Sequence, residues 1–81
     1  MQVRPSLREA FGSALRQSRH AKNLSQEALA NATGLDRTFI SLLERGLRQP
    51  TLATLFSLAE CLDEKPSELV AKVESELADQ T

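Results

Sequence analysis

The side chains best suited to chemistry in this sequence are hydrogen-bond donors set along one short segment: Arg37, Thr38 and Ser41, followed by Arg45, Arg48 and Gln49. On a helix beginning near Asp36, positions 37, 38, 41 and 45 fall largely on one side, and Leu35, Ile40 and Leu43 fall on the other. Such a face suits the edges of base pairs in a DNA groove. There an arginine can donate two hydrogen bonds to guanine O6 and N7, a contact that contributes about 1 to 3 kcal/mol of discrimination. Arg37, at the exposed start of the segment, is the candidate for base contact, with phosphate binding or plain solvation as the alternatives. Thr38 and Ser41 can each bond a base or a phosphate. Leu42 either leans on a thymine methyl or belongs partly to the core, and Phe39 reads as a packing residue whose backbone meets phosphate. Arg45, Arg48 and Gln49 lie at or just past the helix end, where phosphates across the groove would be in reach.

Covalent chemistry finds no comparable grouping. His20 and Cys61 each occur once, no motif pairs a nucleophile with a base, and there is no glycine-rich phosphate loop, so catalysis is not expected. A single cysteine without a neighbouring histidine makes neither an internal disulfide nor a zinc site, so no metal or other cofactor is expected. Cys61, among apolar helix positions, reads as a small core thiol. His20 reads as a surface residue near the end of the first helix.

The elements that must hold these donors are helices. Ser6-Leu7-Arg8-Glu9 has the form of a capping box, and Leu7, Phe11, Ala14 and Leu15 recur behind it at helical spacing. Gly12 costs that first helix about 1 kcal/mol relative to alanine, which suggests a close contact at that point. Asn23 is expected to end the helix in a left-handed turn. Ser25 caps a second helix, with Glu27 in its first turn where a negative charge suits the dipole. Ala30 falls where two steeply crossing helices come closest, Gly34 supplies a left-handed turn, and Asp36 caps the third helix, expected over about 36–45. After a loop from Gly46 to Pro50, Thr51 caps a fourth helix. Its apolar positions Leu52, Leu55, Phe56, Leu58, Ala59 and Leu62 exceed a narrow stripe and predict the central core helix. Pro66 suits the first turn of a fifth helix, where Leu69, Val70, Val73 and Leu77 form a stripe; the tail from Ala78 is expected to fray. The expected fold is all-α: a compact bundle of five helices, in one domain over residues 1–81 with its core at about 6–77.

Eighty-one residues suffice for one domain, which buries only about 60% of its unfolded surface, so stability should depend on tight packing or dimerisation. No apolar run approaches a membrane span and the N-terminal residues lack a signal-peptide core, so a cytoplasmic protein is expected. The net charge of −1 hides a strong division. Met1 to Pro50 holds eight basic and four acidic residues, a balance of +4, whereas Thr51 onward holds Lys65 and Lys72 against seven acids, a balance of −5. That asymmetry suits a molecule that turns one end toward phosphates.

The segment LSQEALANATGLDRTFISLLERGLRQPTLATLFSLAECL resembles the phage-repressor-like helix-turn-helix family (Cro/C1-type, XRE) of small bacterial and phage transcription regulators. The likeness spans roughly Leu7 to Leu69 and rests on Ser25-Gln26-Glu27, Ala30, Gly34, Leu43-Glu44-Arg45-Gly46 and Pro50-Thr51-Leu52, in order and without gaps. Within the family, the short length and the run Leu35 to Ser41 resemble the controller proteins of restriction-modification systems. The resemblance implies a lambda-repressor-like fold with the helix-turn-helix at helices two and three, and a double-stranded DNA operator as partner.

It further implies that Gln26 clamps the DNA backbone and braces Arg37, and that Glu44 forms a structural ion pair with Arg19. Members of the family bind palindromes as twofold dimers, with recognition helices about 34 Å apart. For such a homodimer, Leu69, Val73 and Leu77 on helix five, with helix four nearby, are the expected interface. The acidic surface of helices four and five is a candidate contact for RNA polymerase, and no small-molecule ligand is expected. The competing reading is an antitoxin-type or other interaction protein whose helix-turn-helix serves a protein partner. The few residues expected beyond helix five leave little to wrap a toxin.

Overall fold

The computed structural model describes residues 5–78 and contains five helices: α1 (Leu7–Ala21), α2 (Gln26–Thr33), α3 (Arg37–Glu44), α4 (Leu52–Cys61) and α5 (Pro66–Ala78). Each starts where a side chain accepts an otherwise unpaired backbone N–H. The Ser6 hydroxyl accepts from the Glu9 amide at 3.1 Å while the Glu9 carboxylate accepts from the Ser6 amide at 2.8 Å, closing a capping box. Ser25, Asp36 and Thr51 accept from the amides of Ala28, Thr38 and Thr54 at the starts of α2, α3 and α4. α5 begins at Pro66, and Glu68 reaches back to accept from the Lys65 amide at 2.7 Å.

The helices end in left-handed residues. Gly34 (φ 76°) and Gly46 (φ 73°) take the position glycine occupies without steric cost, and Asn23 (φ 56°) and Asp63 (φ 58°) belong to the two residue types that best tolerate it. The tail expected to fray lies outside the described residues beyond Ala78, the last residue of α5. Among the described residues no helix is long and apolar enough to cross a membrane.

The helices pack as a closed ring: α1 on α3, α3 on α2, α2 on α4, α4 on α5, and α5 back on α1. Phe11, Leu15, Leu29, Ile40, Leu43, Leu58, Leu62 and Leu69 are its fully buried large side chains. The central element is α1 rather than α4, correcting the sequence expectation. α1 carries Ala10, Gly12, Ala14 and Ser18 among its buried residues, and small side chains let α3 and α5 approach from two sides. α4 buries Leu58 and Ala59 but leaves Leu52 71% and Phe56 53% exposed. Its many apolar residues include a face that the other described residues do not cover.

The apolar stripe of α5 also turns out differently. Leu69 and Val73 are buried in the protein's own core and Leu77 packs against it. Leu69 and Val73 are therefore not the free edge expected to meet a second copy, whereas Leu77 stays partly exposed.

Candidate nucleic-acid interface

α2, a three-residue connection (Gly34 to Asp36) and α3 form one unit, held at its corner by Thr33. The Thr33 hydroxyl donates to the Leu29 carbonyl at 2.9 Å and accepts from the Leu35 amide at 3.2 Å, while the Gly34 amide donates to Ala30 at 2.8 Å. Sequence reading missed Thr33, although Ser and Thr side chains commonly bond the backbone of their own turn. α3 then turns Ile40 and Leu43 into the core and Phe39 partly so, which leaves Arg37 and Thr38 exposed and Ser41 and Leu42 half-buried. Arg45, Arg48 and Gln49 follow as exposed residues. The donors expected to face a groove are thus brought together on and just beyond one helix.

What fixes α3 is an ion pair at its end. Glu44, 4% exposed, meets Arg19 of α1 in a two-pronged contact: Nε lies 2.6 Å from Oε2 and Nη2 lies 2.9 Å from Oε1. The third Arg19 nitrogen donates to the Leu24 carbonyl at 2.8 Å, tying the α1–α2 turn into the same joint. Burial pushes the Glu44 carboxyl up, but hydrogen bonds from Arg19 and Gln26 and the charges of Arg19 and Arg16 outweigh it, holding the group below the usual carboxylate range. The Glu44 hydrogen bond raises the Arg19 guanidinium in turn, against the opposing effect of burial.

Arg16 also belongs to this joint, where it donates to the backbone carbonyl of Glu44 at 3.3 Å and approaches its carboxylate at 3.8 Å. It thereby caps a carbonyl at the C-terminal end of α3, which the helix itself leaves unpaired. Its spacing of three from Arg19 places both on one face of α1, a signal present in the sequence.

Gln26 is placed differently from a free phosphate clamp. Its amide nitrogen donates to Glu44 Oε1 at 3.0 Å, and its amide oxygen accepts from Arg37 Nη1 at 3.5 Å. The half-buried side chain thus lies between the exposed Arg37 and the buried Glu44 carboxylate, within reach of both. The second N–H of the side-chain amide and the backbone amides at the start of α2 remain for phosphate.

His20 is exposed, and the Cys61 thiol donates to the Ala32 carbonyl at 3.4 Å. No group of three or more His, Cys, Asp or Glu able to hold a metal occurs among the described residues.

Five helices in a ring, with a polar-faced third helix locked at its C-terminal end and crossed by a capped second, define a helix-turn-helix domain of the transcription-regulator class. The chain belongs to the helix-turn-helix family (HTH_3), which matches residues 15–69. It is similar to control protein C.SmaI of Serratia marcescens, with 39% identity over 66 residues, or 82% of this chain and 79% of that one. The crystal structure of the restriction-modification controller C.AhdI from Aeromonas hydrophila is 47% identical and superposes with a TM-score of 0.74, covering 76% of this chain and 94% of its own. The controller C.Esp1396I, as a tetramer in complex with its natural 35 base-pair operator, is 27% identical with a TM-score of 0.83, covering 91% and 97%.

Proposed function

We propose that this protein is a sequence-specific, double-stranded DNA-binding regulator of transcription that acts as a homodimer on a palindromic operator, with α3 in the major groove. The observation that carries this reading is a helix whose outer face presents Arg37, Thr38 and Ser41 while a buried ion pair fixes its far end. Arg37, Thr38, Ser41 and Leu42 are the base-reading residues. The backbone at Gln26 and Phe39, with the side chains of Arg45, Arg48 and Gln49, takes the phosphates. A homologous controller bound to its operator supports the assignment, and similarity to control proteins favours the regulation of a restriction-modification locus.

With Leu69 and Val73 consumed by the core, the homodimer is assigned to the apolar surface that remains. Leu7, Leu52, Leu55 and Val70 line a groove of about 250 Å³ floored by Phe11 and Val73, and Phe56 lies exposed on the same helix as Leu52. A second copy is its occupant, in keeping with the tetramer formed by C.Esp1396I. Glu60, Asp63 and Glu68, which line a cleft with Phe56 toward the C-terminal end of α4, form the surface offered to RNA polymerase.

Selection of bound sequences from a randomised duplex pool, repeated with Arg37→Ala at the same salt, tests the reading. The expected outcome is a palindrome with half-sites about one turn apart, relaxed by the variant at one symmetric pair of bases. No enrichment, or binding indifferent to the substitution, would turn the search toward a protein partner.

A further inference from the structure

The end of α3 is closed by two backbone bonds around the left-handed Gly46. The Gly46 amide donates to the Leu43 carbonyl at 3.1 Å, and the Leu47 amide donates to the Leu42 carbonyl at 2.9 Å. In such a closure the residue after the glycine and the one five positions before it commonly set apolar side chains side by side. Here both are leucine, Leu47 and Leu42.

Neither belongs to the core or to the apolar groove. Leu42 is half-buried, yet among the described residues it is not one of the partly buried apolar side chains that pack against the core. It follows Thr38 by four residues and precedes Arg45 by three, so it stands on the outer face of α3 between two residues assigned to DNA. Leu47 is 46% exposed and lines neither the groove beside α4 nor the cleft beside Phe56. Exposed Arg45 and Arg48 flank it in the chain, and Arg48 Nη1 turns back to donate to the Leu47 carbonyl at 2.9 Å.

An apolar pair among arginines suits a surface that is apolar at one point and anionic around it. Leucine neither donates nor accepts a hydrogen bond, and the apolar group on a base edge in the major groove is the C5-methyl of thymine. Methylation of cytosine at C5 puts the same group in the same place.

We propose that Leu42 and Leu47 form an apolar specificity site for the C5-methyl group of a pyrimidine, with Leu42 making the contact and Leu47 acting as the positioning residue that backs it. The inference rests on the DNA-binding reading above and deepens it: the donors of α3 read hydrogen-bonding edges, and this site reads one methyl group. Its basis is the shielding of that methyl from water, to which Leu47 adds area.

The test measures binding of wild type, Leu42→Ala and Leu47→Ala to the selected operator with each thymine replaced in turn, symmetrically in both half-sites, by deoxyuridine, which lacks only the methyl. At one symmetric pair of positions the wild type should bind thymine roughly three- to fivefold more tightly per methyl than uracil, as burial of one methyl group predicts. Leu42→Ala should bind the two alike there, and Leu47→Ala should bring the ratio below about twofold. Each ratio is taken within one variant, so a loss of folded protein cancels from it.

A second arm places cytosine or 5-methylcytosine at the same positions. Tighter binding of the methylated base by a similar factor would show that the site takes the methyl from either pyrimidine, and no difference would assign it to thymine alone. Indifference of the wild type to methyl groups in both arms would overturn the proposal, as would a methyl effect that survives intact in Leu42→Ala. A full effect in Leu47→Ala would overturn the part given to Leu47. Absence of any sequence preference in the wild type would instead remove the DNA-reading function itself, a result distinct from these.

Discussion

Gly12 and Glu44 meet with no room for a side chain between them: a Cβ on Gly12 would lie 2.5 Å from the Glu44 carbonyl oxygen and 2.6 Å from that of Leu43. The atoms in the way are backbone, which cannot swing aside. α1 and the last turn of α3 therefore touch main chain to main chain, beside the Arg19–Glu44 pair. Gly46 repeats the arrangement from the other direction, since a Cβ there would lie 2.8 Å from Cγ and 3.0 Å from Cα of Glu9.

Gly12→Ala is accordingly expected to destabilise the fold, although alanine favours an isolated helix by about 1 kcal/mol. Forcing a methyl into this contact costs about 1 to 3 kcal/mol beyond that gain. At roughly 4 to 8 °C per kcal/mol for a domain of this size, thermal melting should fall visibly. A melting temperature equal to or above wild type would show that α3 can retreat without cost.

Glu44→Ala should be more damaging, because it leaves the Arg19 guanidinium in a buried joint without its carboxylate. Removal of one partner from a buried pair typically costs about 3 to 5 kcal/mol, a large part of a small domain's stability. Urea unfolding measures it, and a change below about 1 kcal/mol would mean that solvent reaches Arg19 freely.

The same pair predicts a pH dependence. The folded Glu44 carboxyl titrates below its ordinary value of 4.5, so its contribution is fully present above that value and is lost as pH falls through the depressed one. Glu76, lowered by hydrogen bonds with Ser13 and Gln17, adds an effect of the same sign. Melting of Glu44→Gln between neutral pH and pH 3 should therefore fall less steeply than that of wild type, with the Glu76 component common to both. Parallel curves would argue against the shift at Glu44.

Surface and core apolar residues should separate cleanly in their effects. Leu52→Lys and Val70→Lys alter exposed side chains and should shift stability within about 0.5 kcal/mol, while moving the sedimentation profile from dimer to monomer and weakening operator binding. Leu69→Ala should cost about 2 to 5 kcal/mol through the cavity it leaves. If Leu52→Lys remained dimeric, the groove it lines would not be the interface.

Arg48→Ala should weaken binding to all sequences alike and reduce the slope of log affinity against log salt by about 1, as for loss of one phosphate contact. An unchanged slope would remove Arg48 from the DNA-facing set.

Much of this molecule is legible without coordinates because its helix boundaries are set locally. Ser6, Ser25, Asp36 and Thr51 cap the helices they were expected to cap, and Asn23 and Gly34 end them in left-handed turns, since each device acts within a few residues of chain. The outward donors of α3 follow from helical spacing in the same way. Hydrophobic counting was a poorer guide. It marked α4 as central and α5 as a free edge, because periodicity shows which residues share a face but not whether a partner covers it. Small side chains on α1, of little weight in such a count, are what let two neighbours in.

The sequence by itself determined the five helices, their ends, the polar face of α3 and the family likeness, all of which depend on residues near one another along the chain. Only the tertiary structure decided which apolar faces stay uncovered, that Gly12 and Gly46 are points of backbone contact, and that Arg16, Arg19, Gln26 and Glu44 converge on one joint. Those facts join residues as far apart as Arg16 and Glu44, and they depend on how helices cross, which local spacing does not specify.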